Sequence, residues 1–201
     1  YFSPDFRNHP VLHLIKDVFK HHDKSKFEIY AFSMAPEKND EMTKEIKPYF
    51  TEFIEIKNLS NKEIRDLCHK KNLDIAIDLC GFTSFNRFEI FAQRLAPIQV
   101  NYLGYPGTMG SNFFDNIIAD KVIITKEEEK HYTEKVVYLP NCYQPNSAYE
   151  VLQKNNHKKE KFNLPEDKVI FCNLGSNHKI TPQIFNVWMG IMQKVPDSVL
   201  W

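Results

Sequence analysis

The sequence predicts an α/β protein, a mostly parallel sheet with helices on both faces, followed by the opening of a second α/β unit. Short apolar runs rich in β-branched and aromatic residues alternate with amphipathic stretches at helical period, the pattern of βαβ units. After Pro140 the texture turns polar, and a fresh apolar run begins near residue 169.

The strands are predicted at 1–2, 27–33, 53–56, 74–79, 99–103, 116–119 and 136–139. Between the first two, Val11, Leu12, Leu14, Ile15, Val18 and Phe19 form one helical stripe. Ser60 opens a second helix as its cap, with Glu63 three residues later, and Ile64, Leu67 and Cys68 mark the buried face. Phe88, Phe91, Ala92 and Leu95 predict a third helix. The polar stretch 141–165, with Pro145 and the run from His157 to Lys161, reads as a solvated linker between a first domain at 1–140 and a second at 166–201. In the second, a strand is predicted at 169–174 and a helix at 181–195, with Trp188, Met192 and Val195 on one face. The chain opens and stops on runs that look like strands cut midway, so a piece of a longer protein is expected.

Composition narrows the function. Lys and Arg total 26 against 26 for Asp and Glu, so no charge excess recruits a nucleic acid or an acidic membrane surface. No apolar run reaches membrane-spanning length and no signal peptide is recognisable, which points to a cytoplasmic protein. The four cysteines, Cys68, Cys80, Cys142 and Cys172, form no CxxC pair and are expected to be reduced and buried. The eight histidines show no metal-ligand spacing, so no metal is expected.

In an open parallel sheet the ligand crevice lies beyond the carboxyl ends of the strands, so the loops there carry the chemistry. In Ser3-Pro4-Asp5-Phe6-Arg7-Asn8-His9-Pro10, His9 stands beside a helix N-terminus, either to touch a phosphate or sugar hydroxyl or to serve as a packed cap. Gly81-Phe82-Thr83 follows a buried strand in which Asp78 either holds a substrate or pins the loop, the second being expected. Leu103-Gly104-Tyr105-Pro106-Gly107-Thr108-Met109-Gly110 exposes backbone N–H groups as a sugar or phosphate site requires, yet it matches neither the dinucleotide fingerprint nor the P-loop. Asn173-Leu174-Gly175-Ser176-Asn177-His178-Lys179 sets a lysine just ahead of a helix opened by Pro182, where it is placed to neutralise a diphosphate.

Together the segments SPDFRNHP, DIAIDLCGFT, APIQVNYLGYPGTMG, EKVVYLP and FCNLGSNHKITP resemble the O-GlcNAc transferase family, glycosyltransferase family 41, from one end of the chain to the other. The resemblance implies a GT-B architecture of two Rossmann-like lobes with donor and acceptor in the cleft between them. It implies transfer of a sugar, most simply GlcNAc from UDP-GlcNAc, to Ser or Thr hydroxyls of a protein or peptide acceptor, with inversion, no metal and no cofactor. His9 and Lys179 map to the family's active-site histidine and its diphosphate-contacting lysine. Asn8, Gly104, Pro106, Gly107, Thr108 and Ser176 map to donor- or acceptor-binding positions, as do Asp66 and His69 on the helix before the fourth strand. The sequence departs from the family at Ser176, where some members carry glutamine, and at Asn177-His178. The family's nucleotide-holding segment would lie beyond Trp201, and its tetratricopeptide repeats ahead of Tyr1, so the fragment by itself is expected to be inactive. Within the family the donor could instead be GDP-fucose, as in protein O-fucosyltransferases, or UDP-glucose, as in N-glucosyltransferases, and a non-catalytic partner-binding module is the alternative from another class.

Overall fold

Seven strands form the sheet of the first unit, β1 (Phe2–Ser3), β2 (Tyr30–Ser33), β3 (Glu52–Glu55), β4 (Ile75–Asp78), β5 (Ile98–Tyr102), β6 (Asn116–Ala119) and β7 (Lys135–Tyr138). The computed structural model describes residues 1–35, 40–146 and 158–201, and the chain divides into units at 1–149 and 150–201. All neighbouring strands are parallel, in the order β3-β2-β1-β4-β5-β6-β7. The order reverses between β1 and β4, and such a switch point opens a crevice outside the carboxyl ends of the strands. Phe2 on β1 registers with Phe32 on β2 and with Asp78 on β4, so Asp78 stands at that point.

Each face of the sheet has its own core. On one, Phe2 stacks on Phe32 with ring centroids 4.5 Å apart and meets the edge of Phe91, and Ile64 and Cys68 pack beside them from α3 (Asn61–Lys70). On the other, Leu12, Ile15 and Phe19 of α1 (Pro10–His21) cover Ala31, Leu79 and Tyr102. That spacing puts three large apolar side chains on one stripe of α1, and Pro10 at its first position gives up no hydrogen bond. The predicted capping box of α3 is present, Ser60 Oγ accepting from Glu63 N–H while the Glu63 carboxylate accepts from Ser60 N–H.

Four local expectations are revised. The strand at 27–33 starts only at Tyr30, because Phe27 is drawn into a turn in which its N–H donates to the Asp23 carbonyl. The helix expected from Phe88 is a 3-10 segment, Phe88–Gln93, closed by Arg94 in the left-handed region at φ 55. The buried Gln99 side chain takes over there, accepting from Leu95 N–H and donating to the Phe91 carbonyl, so a longer helix would lose those partners. An additional helix, α2 (Glu41–Ile46), is capped by Asp40, whose carboxylate accepts from Thr43 N–H and from Asn8 N–H. Of the cysteines, Cys68 and Cys80 are buried and unpaired as expected, but Cys142 and Cys172 are exposed, because each lies just past a strand end where the chain has left the sheet.

Residues 147–157 of the expected linker, His157 among them, lie outside the described residues. Its beginning packs on the first unit: Tyr143 is buried, its carbonyl accepting from Tyr102 Oη–H and its N–H donating to Asp120. In the second unit, β8 (Val169–Phe171) and β9 (Ser198–Leu200) pair in parallel, and α4 (Pro182–Lys194) connects them. Thr181 caps α4 by accepting from Ile184 N–H.

Candidate active site

Two loops at the carboxyl ends of the first sheet, those leaving β4 and β5, pack against one another. The loop leaving β4 turns at Gly81, whose φ of +57 and closeness to the Tyr105 side chain admit no Cβ. The loop leaving β5 begins with Leu103 at φ 77, a left-handed strain that a buried leucine holds only when its surroundings over-determine it. At Gly104 a Cβ would stand 2.3 Å from the Leu79 carbonyl oxygen. The glycines are therefore required by contact between the two loops.

Two buried side chains hold the second loop. Asn101 Nδ2 donates to the Tyr105 and Gly107 carbonyls at 3.0 and 3.1 Å. Glu134, ahead of β7, accepts from Thr108 Oγ–H at 2.7 Å and from Met109 N–H at 2.6 Å. The Thr108 oxygen also accepts from Gly110 N–H at 3.0 Å and Thr133 N–H at 3.3 Å. A hydroxyl has one hydrogen and two lone pairs, so Thr108 is spent on shaping its loop, while Pro106 accepts at its carbonyl from Tyr132 Oη–H. Glu134 and Asn101 stand in two of the segments that carry the resemblance, EKVVYLP and APIQVNYLGYPGTMG, but nothing local signals that Glu134 holds Thr108, 26 residues away.

Asp78 pins the Gly81 loop by accepting from Cys80 N–H at 3.0 Å and Gly81 N–H at 3.1 Å. Burial pushes its pKa up to about 6 from an ordinary 3.8, against the downward pull of those two hydrogen bonds. The folded chain thus holds that proton more tightly than the unfolded chain. Stability from this group is full below the unfolded value and is lost as pH rises from about 4 to about 6, by about 3 kcal/mol. The difference in urea-unfolding free energy between the chain and its Asp78→Asn variant, followed across that window, is expected to change by that amount. A flat difference would refute the assignment.

On the loop leaving β1, His9 is the N-cap of α1, its Nδ1 accepting from Val11 N–H at 3.3 Å, with the side chain about one-third exposed. In a neutral ring capped this way the hydrogen sits on Nε2, which makes His9 a donor. Asn8 is tied into the same loop, its N–H donating to Asp40 and its Oδ1 lying 2.9 Å from His13 Nε2. In the second unit, Lys179 closes a 3-10 turn, Asn177–Lys179, ahead of α4. It is exposed, and no described carboxylate lies within ion-pairing distance. Ser176 Oγ bonds His178 Nδ1 at 2.9 Å.

Asp66 and His69 are not brought to these loops. Helix α3 returns the chain from the carboxyl end of β3 to the amino end of β4, and His69 Nε2 there contacts the Arg94 carbonyl at 2.9 Å. Four-residue strands at about 3.3 Å per residue put that end roughly 13 Å from the crevice end. Asp66 is exposed and paired with Arg65. Among the described residues no three His, Cys, Asp or Glu side chains gather as metal ligands, and no helix is long and apolar enough to cross a membrane.

The family model of glycosyl transferase family 41 matches residues 1–159 and 146–201. The chain is 35% identical over 206 aligned residues to a probable UDP-N-acetylglucosamine–peptide N-acetylglucosaminyltransferase, SEC, of Arabidopsis thaliana, and 29% identical over 204 to the SPINDLY protein of the same plant, named as the same activity. Each match covers 100% of this chain and 21% or 22% of the relative, so the chain spans about a fifth of their length. A solved variant of the Thermobaculum terrenum O-GlcNAc transferase superposes with a TM-score of 0.87 at 25% identity, over 100% of this chain and 37% of that one. The fold class is therefore GT-B type, and with both units matched end to end, the chain belongs to glycosyltransferase family 41.

Proposed function

We propose that the protein to which this chain belongs transfers GlcNAc from UDP-GlcNAc to Ser or Thr hydroxyls of protein acceptors, with inversion and without a metal. The observation that supports this most is that similarity to relatives named as peptide N-acetylglucosaminyltransferases runs through both the Gly104 loop and the Lys179 turn. In this reading the acceptor oxygen attacks the anomeric carbon as the bond to the diphosphate breaks. The hydroxyl proton leaves to the departing phosphate or to another group, because His9 presents Nε2–H rather than a lone pair. His9 donates to the sugar or donor phosphate, and the Lys179 ammonium with the amino end of α4 balances the charge that builds on the leaving diphosphate. Gly104, Pro106 and Gly107 line the sugar and acceptor region through their backbone. The four unpaired cysteines suit a cytoplasmic setting.

A ligand that binds only the native state raises its stability, by about 2.7 kcal/mol at a hundredfold excess over Kd. In a panel of UDP-GlcNAc, UDP-glucose and GDP-fucose on the intact protein, UDP-GlcNAc is expected to give the largest rise in Tm. It is also expected to be the donor whose sugar appears on a Ser/Thr peptide. A rise with GDP-fucose alone, or with none of the three, would reject the reading.

A further inference from the structure

In the loop leaving β1, one atom of His9 faces two groups that require opposite states of it. Val11 N–H donates to Nδ1 at 3.3 Å, which uses the lone pair there. The Asp5 carboxylate stands 3.5 Å from the same nitrogen and would accept a hydrogen from it. A neutral imidazole has one N–H. If Val11 prevails, the hydrogen sits on Nε2 and His9 donates to a ligand. If Asp5 prevails, the hydrogen moves to Nδ1 and Nε2 becomes an acceptor, a base in place of a donor.

What decides is how much negative charge Asp5 has to offer. Its side chain is only 9% exposed, and its other oxygen, Oδ1, accepts from Arg7 Nη2 at 2.8 Å. A guanidinium at that distance in a poorly solvated place compensates the carboxylate and weakens its pull on a second donor. The Asp5 N–H in turn donates to Ser3 Oγ at 3.0 Å, which fixes the backbone from which the carboxylate reaches Arg7. We infer that Arg7 is a positioning residue: by occupying Asp5 it leaves Nδ1 to Val11 and holds His9 as the Nε2–H donor. The inference rests on the transferase reading for its catalytic consequence but not for the tautomer itself.

The test follows the ring nitrogens of His9 by 15N NMR in histidine-labelled protein, with His9→Gln to assign them, beside turnover of the intact protein. The wild type is expected to carry hydrogen on Nε2. Arg7→Met should move it to Nδ1 and lower kcat more than it changes the donor KM. Loss of one transition-state donor costs about a hundredfold, and partial occupancy of the wrong tautomer makes roughly tenfold the expected drop. Adding Asp5→Asn to Arg7→Met removes the competing carboxylate and should return the hydrogen to Nε2 and recover turnover, and Arg7→Lys, which keeps the charge, should resemble the wild type. An Nε2–H signal unchanged in Arg7→Met, or a folded double variant no better than the single, overturns the inference. Should Arg7→Met fail to fold, Asp5→Asn alone decides, since a shift of hydrogen to Nδ1 in that variant is the opposite of what is expected. Predicted tautomer shifts in a protein that transfers no sugar would sink the proposed function and leave this inference standing.

Discussion

Lys179→Ala in the intact protein is expected to lower kcat by about a hundredfold or more, the usual cost of removing a fixed donor from the charge that develops in a transition state. The amine ends a 3-10 turn whose Lys179 N–H is bonded to the Ser176 carbonyl, immediately before the Thr181 cap of α4. With no described carboxylate to claim it, the ammonium is available to a diphosphate. Because the charge grows as the bond to the sugar breaks, the loss should appear mainly in kcat and less in donor KM. Single-turnover kinetics with a labelled donor measures this, and near-normal turnover in the variant would remove Lys179 from the mechanism.

The second large effect is expected at Gly104. An alanine there brings Cβ to 2.3 Å from the Leu79 carbonyl oxygen, a backbone atom that cannot rotate away. The loops leaving β4 and β5 must therefore part, at a cost of about 1–3 kcal/mol for an overpacked contact. Displacing a ligand-shaping loop by about an ångström costs on the order of a hundredfold in rate, so Gly104→Ala should be nearly inactive while still folded. Gly110→Ala is the control: its φ of +58 strains an alanine, but no atom lies within 4 Å of the added Cβ, and only about 1 kcal/mol should be lost. Thermal unfolding and turnover of the two variants in parallel measure both. Equal activity would mean that the contact between the loops does not shape the site.

Much of the scaffold is legible in local sequence. The stripe from Val11 to Phe19, the Ser60 and Glu63 box, Pro182 at the opening of a helix and the run 116–119 each place an element where it is found, because periodicity and end signals act over a few residues. The differences come from groups outside each element or loop. The helix expected at Phe88 tightens to a 3-10 segment as Gln99 draws the Leu95 N–H and the Phe91 carbonyl to itself. Thr108 looks like a free hydroxyl on a ligand loop until Glu134 takes its hydrogen. Asp66 and His69 fit the family spacing, but the direction of α3 carries His69 to the far end of the sheet.

By itself the sequence determined the parallel α/β architecture, the family and the loops that bear His9, Gly104 and Lys179, since these follow from hydrophobic period, turn residues and contiguous motifs. Only the tertiary structure decided what each polar group in those loops has left to offer a ligand: which hydroxyl Glu134 consumes, which nitrogen of His9 caps α1, and which carboxylate Arg7 occupies. The physical reason is that a hydrogen atom or lone pair can be used once, and its partner is chosen by segments that meet only when the chain folds.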